Sequence, residues 1–332
     1  MSEFRKDPVT GRWVIIASKR EGRPRHFGVR NDSAPPEACP FCAGNESMTP
    51  PEVWSHRENN TLPDTPGWRI RVVPNKYPAL DNGAAWKRRR DGLYELWNGL
   101  GIHEVIVESP DHIVNMGMLS ARAFGNILGA YRDRMRLLQS DRRWRYLLVY
   151  KNQGDRAGAT LEHVHSQLVA LPAVPKEAVD ELRGVQRRYA STERCIYCDI
   201  IRREAHRGER LVAAAENFIA LCPFAPRFAY ETWILPKNHT ADFTETSQSD
   251  IVALAAVLRD LIRRLNQALN DPPLNYFIHS RPVHDTDNAH YHWHIEILPQ
   301  IARAAAFEWG TGAHMNSVAP EAAARLLRDV AV

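Results

Sequence analysis

Two Cys-x-x-Cys pairs and two His-x-His pairs carry most of the chemistry legible in this 332-residue chain: Cys39/Cys42, Cys195/Cys198, His163/His165 and His292/His294. A Cys-x-x-Cys turn supplies two thiolates with the bite of a tetrahedral metal, and the other ligands come from elsewhere in the fold. Cys39, Cys42, His112 and one of His163/His165 would complete one site. Cys195, Cys198, His239 and one of His292/His294 would complete another. A Cys₂His₂ set is closed, so each ion ties loops to the core and does not activate water. Two zinc ions per subunit are expected, with iron as the alternative at one site.

Each doublet then has a histidine to spare. In a His-x-His on a strand, alternate side chains share a face, so both rings point the same way and one is free for catalysis. Gly154, Gly158 and Thr160 form a loop whose amides and hydroxyl suit phosphate oxygens, just ahead of His163-Val-His165. A neutral imidazole attacks phosphorus well and leaves well, so His165 could split one phosphoryl transfer into two easier steps. Gln167, on the same face, can donate an amide hydrogen bond to a phosphate oxygen but cannot act as an acid.

The elements that must position these groups occur twice. Each half runs Cys-x-x-Cys, an apolar strand ending near a lone histidine (Val105 to His112; Thr232 to His239), a helix, a strand (Arg145–Tyr150; Asn275–His279) and a His-x-His. The lone histidine precedes the doublet by 51 residues in one half (112 to 163) and 53 in the other (239 to 292). Ser120 opens one helix, with Phe124, Ile127, Leu128, Tyr131, Met135 and Leu138 on one face. Ser247 with Asp250 opens the other, with Ile251, Leu254, Leu258, Leu261 and Leu265. The Pro-rich stretch 171–175 marks the boundary, giving halves 1–172 and 173–332. Residues 24–66 read as loop, Lys87–Arg90 as a solvated hairpin tip and Cys222 as core.

Forty-three Lys and Arg against 39 Asp and Glu leave a net charge of +4, too even for a nucleic-acid footprint. The Cys pairs lack the closely following His pair of a zinc finger. No apolar run approaches the roughly 18 residues of a membrane span, and no signal peptide opens the chain, so a cytoplasmic protein is expected. A zinc-stabilised nucleotide-binding protein without turnover is the non-enzymatic alternative.

The run Asn152-x-Gly154-x₃-Gly158-x-Thr160-x₂-His163-Val-His165-Ser-Gln167 resembles the signature of the galactose-1-phosphate uridylyltransferase family within the histidine-triad superfamily. Asp7 to Trp13, Arg20, Arg23, Cys39-Pro-Phe-Cys42, Pro74 to Leu80, Glu108 to His112 and Phe307 to Gly312 extend the likeness over nearly the whole chain. The resemblance implies an α+β fold of two tandem histidine-triad-like halves with mostly antiparallel sheets flanked by helices, working as a homodimer. It implies His165 as the uridylylated nucleophile in ping-pong transfer from UDP-glucose to galactose-1-phosphate. Of each doublet it leaves the first member, His163 and by repetition His292, to the metal. Arg20, Arg23, Asn75, Asn152, Gly158, Thr160 and Gln167 match nucleotide- and phosphate-holding positions. Hydrolytic relatives carry a third histidine where Gln167 stands. Val164 and Ser166 depart from the family's His-Pro-His-Gly-Gln, and Lys76 replaces an acidic residue near the nucleoside. Val164 and Ser166, the Cys195/Cys198 pair, Asn270 to Tyr276 and Phe307 to Gly312 are similar to the ADP-glucose phosphorylase branch, which transfers adenylyl to orthophosphate, and Lys76 leaves the base open. Uridylyl transfer ranks first and adenylyl transfer second.

Overall fold

In chain order the first half lays down β1 (Glu3–Lys6), β2 (Trp13–Ile16), β3 (Trp54–Arg57), β4 (Trp68–Pro74), β5 (Arg88–Asp91), β6 (Tyr94–Trp97), β7 (Ile102–Val107), α1 (Ala121–Gln139), β8 (Tyr146–Gln153) and β9 (His165–Leu171). The second follows with α2 (Lys176–Thr192), α3 (Ile196–Arg207), β10 (Leu211–Ala214), β11 (Phe218–Leu221), β12 (Thr232–Pro236), α4 (Gln248–Leu269), β13 (Leu274–His279), β14 (His294–Pro299), α5 (Ala306–Thr311), β15 (His314–Asn316) and α6 (Pro320–Asp329). The structure is a computed structural model and describes residues 3–16, 39–287 and 289–332.

Ten strands form one antiparallel sheet in the order β10-β11-β12-β14-β13-β8-β9-β7-β4-β3. Five come from each half in the same internal order, and the sets meet where β8 pairs with β13. This is the expected mixed α+β architecture, with helices against the sheet. Ser120 accepts from the Ala123 amide at the start of α1, and Ser247 from the Asp250 amide at the start of α4. Both helices bury the apolar faces anticipated above in a single cluster with the sheet, at roughly 2 kcal/mol for each enclosed Leu or Ile. Cys222 lies in that cluster too.

The other face of the sheet differs between the halves, and that difference makes room for a site. On the second half, Ile219, Leu221, Trp233 and Leu235 are packed under α2, α3 and Val9 of the amino-terminal segment. On the first half, Val105 and Val107 face Cys39 and Phe41 instead. The amino-terminal segment crosses between the halves: β2 pairs in parallel with β15, and Val9 presses on α2 at Gly184. A Cβ on Gly184 would lie 1.8 Å from the Val9 carbonyl oxygen, so only glycine allows this approach.

Several local expectations are corrected. Residues 24–38 of the expected loop lie outside the described residues, and within the rest Trp54–Arg57 forms edge strand β3. Its residues are all half-buried, so no apolar alternation announces it. Arg88–Arg90 occupy the first strand of a hairpin and Gly92-Leu93 its tip, because Asp91 pairs with Tyr94. The strand read as Arg145–Tyr150 continues to Gln153, so Asn152 belongs to β8 and not to the loop. Neither doublet lies wholly on a strand: β9 begins at His165 and β14 at His294.

Candidate active site

Strand β9 opens with His165, whose ring is buried beside the Phe41 ring, 5.2 Å between centroids. Its Nδ1 lies 2.7 Å from the His163 carbonyl oxygen. A carbonyl can only accept, so Nδ1 carries the proton and Nε2 keeps its lone pair. Burial lowers the His165 pKa, and the Lys151 ammonium adds to the effect; the His163 carbonyl and Glu108 oppose it. The ring is held neutral with a fixed tautomer, the form a nucleophile needs.

Beneath that ring lies a buried polar network that no motif predicts. Lys151 donates to the His165 carbonyl at 3.0 Å and pairs with Glu108. Ser166 and Tyr131 also donate to Glu108 Oε1, Tyr131 at 2.6 Å. With the Tyr131 proton so placed, Tyr276 of β13 donates to the Tyr131 oxygen, also at 2.6 Å. Burial would raise the Glu108 pKa, but Lys151 and the hydroxyl donors win and lower it. The second half thus reaches beneath the first half's histidine.

Gln167 lies two residues along β9, so its side chain shares the His165 face. Asn75, from the end of β4, comes close through His103 of β7, which contacts both amides. Asn152 Oδ1 accepts from Asn275 at 2.8 Å, and Asn275 also donates to the Ala157 carbonyl at 2.8 Å. Gly154 and Gly158, with φ of +85° and +89°, shape the turn before the doublet. The Ala157, Gly158 and Ala159 amides bond to carbonyls of that turn, so they are not free for phosphate as the sequence suggests. Thr160 is exposed. Arg20 and Arg23 lie outside the described residues.

The cysteines gather as anticipated. Cys39, Cys42, His112 and His163 bring their donor atoms within 4.8 Å of one another, as do Cys195, Cys198, His239 and His292. Every approaching imidazole atom is Nδ1, at 3.4 to 3.7 Å from sulfur in the first group and 3.4 to 4.0 Å in the second. A tetrahedral zinc bound to S and N has an S–N edge of about 3.5 Å, so both groups fit the ion. His163 Nε2 donates to the Ser109 carbonyl and His292 Nε2 to the Pro236 carbonyl, which leaves each Nδ1 lone pair toward sulfur. Burial pushes the His163 pKa down to about 4, favouring the neutral, ligating ring. The Cys198 thiol, hydrogen-bonding Cys195, lowers the pKa of its neighbour. Soft thiolates with imidazole select zinc over magnesium or calcium.

The second doublet offers no equivalent nucleophile. His294 is fully buried among the rings of Tyr197, Trp233 and His279, at 4.8, 5.5 and 5.0 Å. With Glu181 and His279 it forms a third close group, which sequence reading missed because Glu181 comes from α2, a helix without motif.

Comparison with known proteins agrees with this geometry. The family model described as galactose-1-phosphate uridyl transferase, N-terminal domain, matches residues 1–175, and one described as a domain of unknown function matches residues 107–330. An ADP-glucose phosphorylase of Arabidopsis thaliana is 35% identical over 99% of this chain and 93% of its own length. A galactose-1-phosphate uridylyltransferase of Thermotoga maritima is 28% identical over 100% of this chain and 99% of its own. The crystal structure of an Arabidopsis thaliana ADP-glucose phosphorylase with bound ADP-glucose covers 100% of both chains at a TM-score of 0.86 and 32% identity. A likeness of this depth over the whole chain places it in the galactose-1-phosphate uridylyltransferase family of nucleotidyltransferases.

Proposed function

We propose that this chain moves an adenylyl group from ADP-glucose to orthophosphate through a covalent bond to His165. The order of the two substrate readings drawn from the sequence is thereby reversed. The 35% whole-chain identity to an ADP-glucose phosphorylase, against 28% to a uridylyltransferase, supports the change.

The observation that carries the reading is the His165 tautomer. Nε2 attacks the α-phosphorus, an N–P bond forms, and the P–O bond to glucose-1-phosphate breaks with its electron pair going to that oxygen. The His163 carbonyl steadies Nδ1–H while positive charge grows on the ring. An oxygen of orthophosphate then attacks the same phosphorus, the N–P bond breaks, and the ring returns to its neutral form as ADP leaves. Gln167 amide donation offsets charge on the phosphoryl oxygens without offering water a proton. Asn75, Asn152, Thr160, Arg20 and Arg23 hold the nucleotide, and Gly158, whose amide is spent on the Asp155 carbonyl, shapes the turn beside them. Zinc held by Cys39, Cys42, His112 and His163, and by Cys195, Cys198, His239 and His292, would fasten loops to the sheet as a closed structural ion. The working unit is a cytoplasmic homodimer, each subunit built from repeats 1–172 and 173–332.

Uridylyl transfer from UDP-glucose to a hexose-1-phosphate is the second reading, supported by the amino-terminal family match. Intact-mass measurement after incubation with each nucleotide sugar, without acceptor, tests both. Faster charging by ADP-glucose and discharge by orthophosphate are expected; faster charging by UDP-glucose and discharge by galactose-1-phosphate favours the second. No adduct from either, in metal-loaded protein, ends both.

A further inference from the structure

The His103 ring stands between two of the expected nucleotide-holding amides, and the backbone fixes its tautomer. The Ala79 N–H lies 3.2 Å from His103 Nδ1. An amide N–H can only donate, so Nδ1 carries the lone pair and the ring proton is on Nε2. Nε2–H is therefore the donor in the 2.6 Å contact with Gln167 Oε1. The Tyr150 hydroxyl donates to the same oxygen at 3.0 Å. Two donors on one oxygen leave the carboxamide a single orientation, its NH₂ turned away from His103 and Tyr150. Reversal would set N–H against N–H and O–H and lose both bonds. Among the described residues, no group accepts from Gln167 Nε2.

Asn75 is oriented by similar logic. Its Oδ1 accepts from the Tyr77 N–H at 2.9 Å, which turns Nδ2 toward His103 Nε2 at 3.2 Å. With the ring proton on Nε2 that approach is between two donors and carries no bond. Both amides consequently keep N–H groups for a ligand rich in acceptors.

We infer that His103 is a positioning residue for nucleotidyl transfer: it locks the Gln167 carboxamide so that its NH₂ meets the phosphoryl oxygen gaining charge as His165 attacks. The inference rests on the transfer reading above and adds a residue outside every motif. A carboxamide without the lock presents either end to the phosphate, and its oxygen repels the developing charge.

A double-mutant cycle tests this through the rate of adduct formation on His165 at saturating donor, with metal content measured in each variant. Gln167→Ala should slow charging about a hundredfold, as loss of one donor to a developing oxyanion does, and His103→Leu about tenfold, with donor affinity changed less than about threefold. The double variant should charge no more slowly than Gln167→Ala alone, and His103→Gln, which keeps an N–H donor, should recover most of the loss. If His103→Leu folds poorly, Tyr150→Phe serves in its place, its smaller loss likewise absorbed by Gln167→Ala. Additive losses, or a His103→Leu rate equal to wild type, overturn the role. Absence of adduct from the wild type ends the transfer reading itself, whereas adduct with additive losses ends only the positioning role.

Discussion

The carbonyl oxygen of His163 holds His165 Nδ1 at 2.7 Å, while the His163 ring turns its own Nδ1 toward Cys39 and Cys42. One residue therefore joins the sulfur cluster to the tautomer of the His165 ring. His165→Asn should abolish adduct formation, a loss of at least about a thousandfold, because a carboxamide nitrogen is no nucleophile. Near-ultraviolet circular dichroism and zinc content should match wild type, separating lost chemistry from lost structure.

Elemental analysis should find close to two zinc ions per subunit. Cys198→Ser should retain one, lower the melting temperature and leave charging at 25 °C within about threefold, since β13 and β8 stand between β14, which follows His292, and β9, which opens with His165. Cys39→Ser should lower both melting temperature and charging, because His163 then loses its anchor. Equal effects of the two variants on charging would contradict this division.

Glu108 supplies a pH signature. Its carboxylate keeps its charge to lower pH in the folded chain than its ordinary value of 4.5, since Lys151 and the hydroxyl donors outweigh burial. The unfolded chain therefore binds the proton first, so this stabilisation is full above about pH 4.5 and is lost as pH falls through the lower folded value. Glu108→Gln should cost about 3–5 kcal/mol at pH 7 by leaving Lys151 buried and unpaired. The gap between wild type and variant should start to close as pH falls below about 4.5; a gap independent of pH would be the contrary result.

Gly184→Ala gives a test of the crossing amino-terminal segment. In an unobstructed helix the change stabilises by up to about 1 kcal/mol. Here the added carbon would sit 1.8 Å from the Val9 carbonyl, and displacing that backbone costs about 1–3 kcal/mol, so the net sign is destabilising. A melting temperature at or above wild type would show that residues 7–10 do not rest on α2.

What the sequence made legible is what repeats or follows a period. The sulfur pairs, the doublets and the capped amphipathic helices α1 and α4 carry their signals within a few residues. Glu181, Tyr276 and His103 matter through neighbours 98, 145 and 64 positions away, and no local pattern encodes such pairings. The turn 154–159 misled for a related reason: glycines announce its shape, but not that its amides bond to its own carbonyls. The nucleotide preference was hardest, because one base differs from another by a few hydrogen bonds in a pocket that motifs do not describe.

The seam between β8 and β13 makes the protein indivisible. Severed after residue 172, the leading fragment would present β8 as a raw strand edge from Val149 to Gln153, inviting aggregation. It would also forfeit Asn275 from the shoulder of Asn152 and Tyr276 from the network under the His165 ring. On the proposed reading, the five leading strands carry the chemistry and the five trailing ones are its chassis.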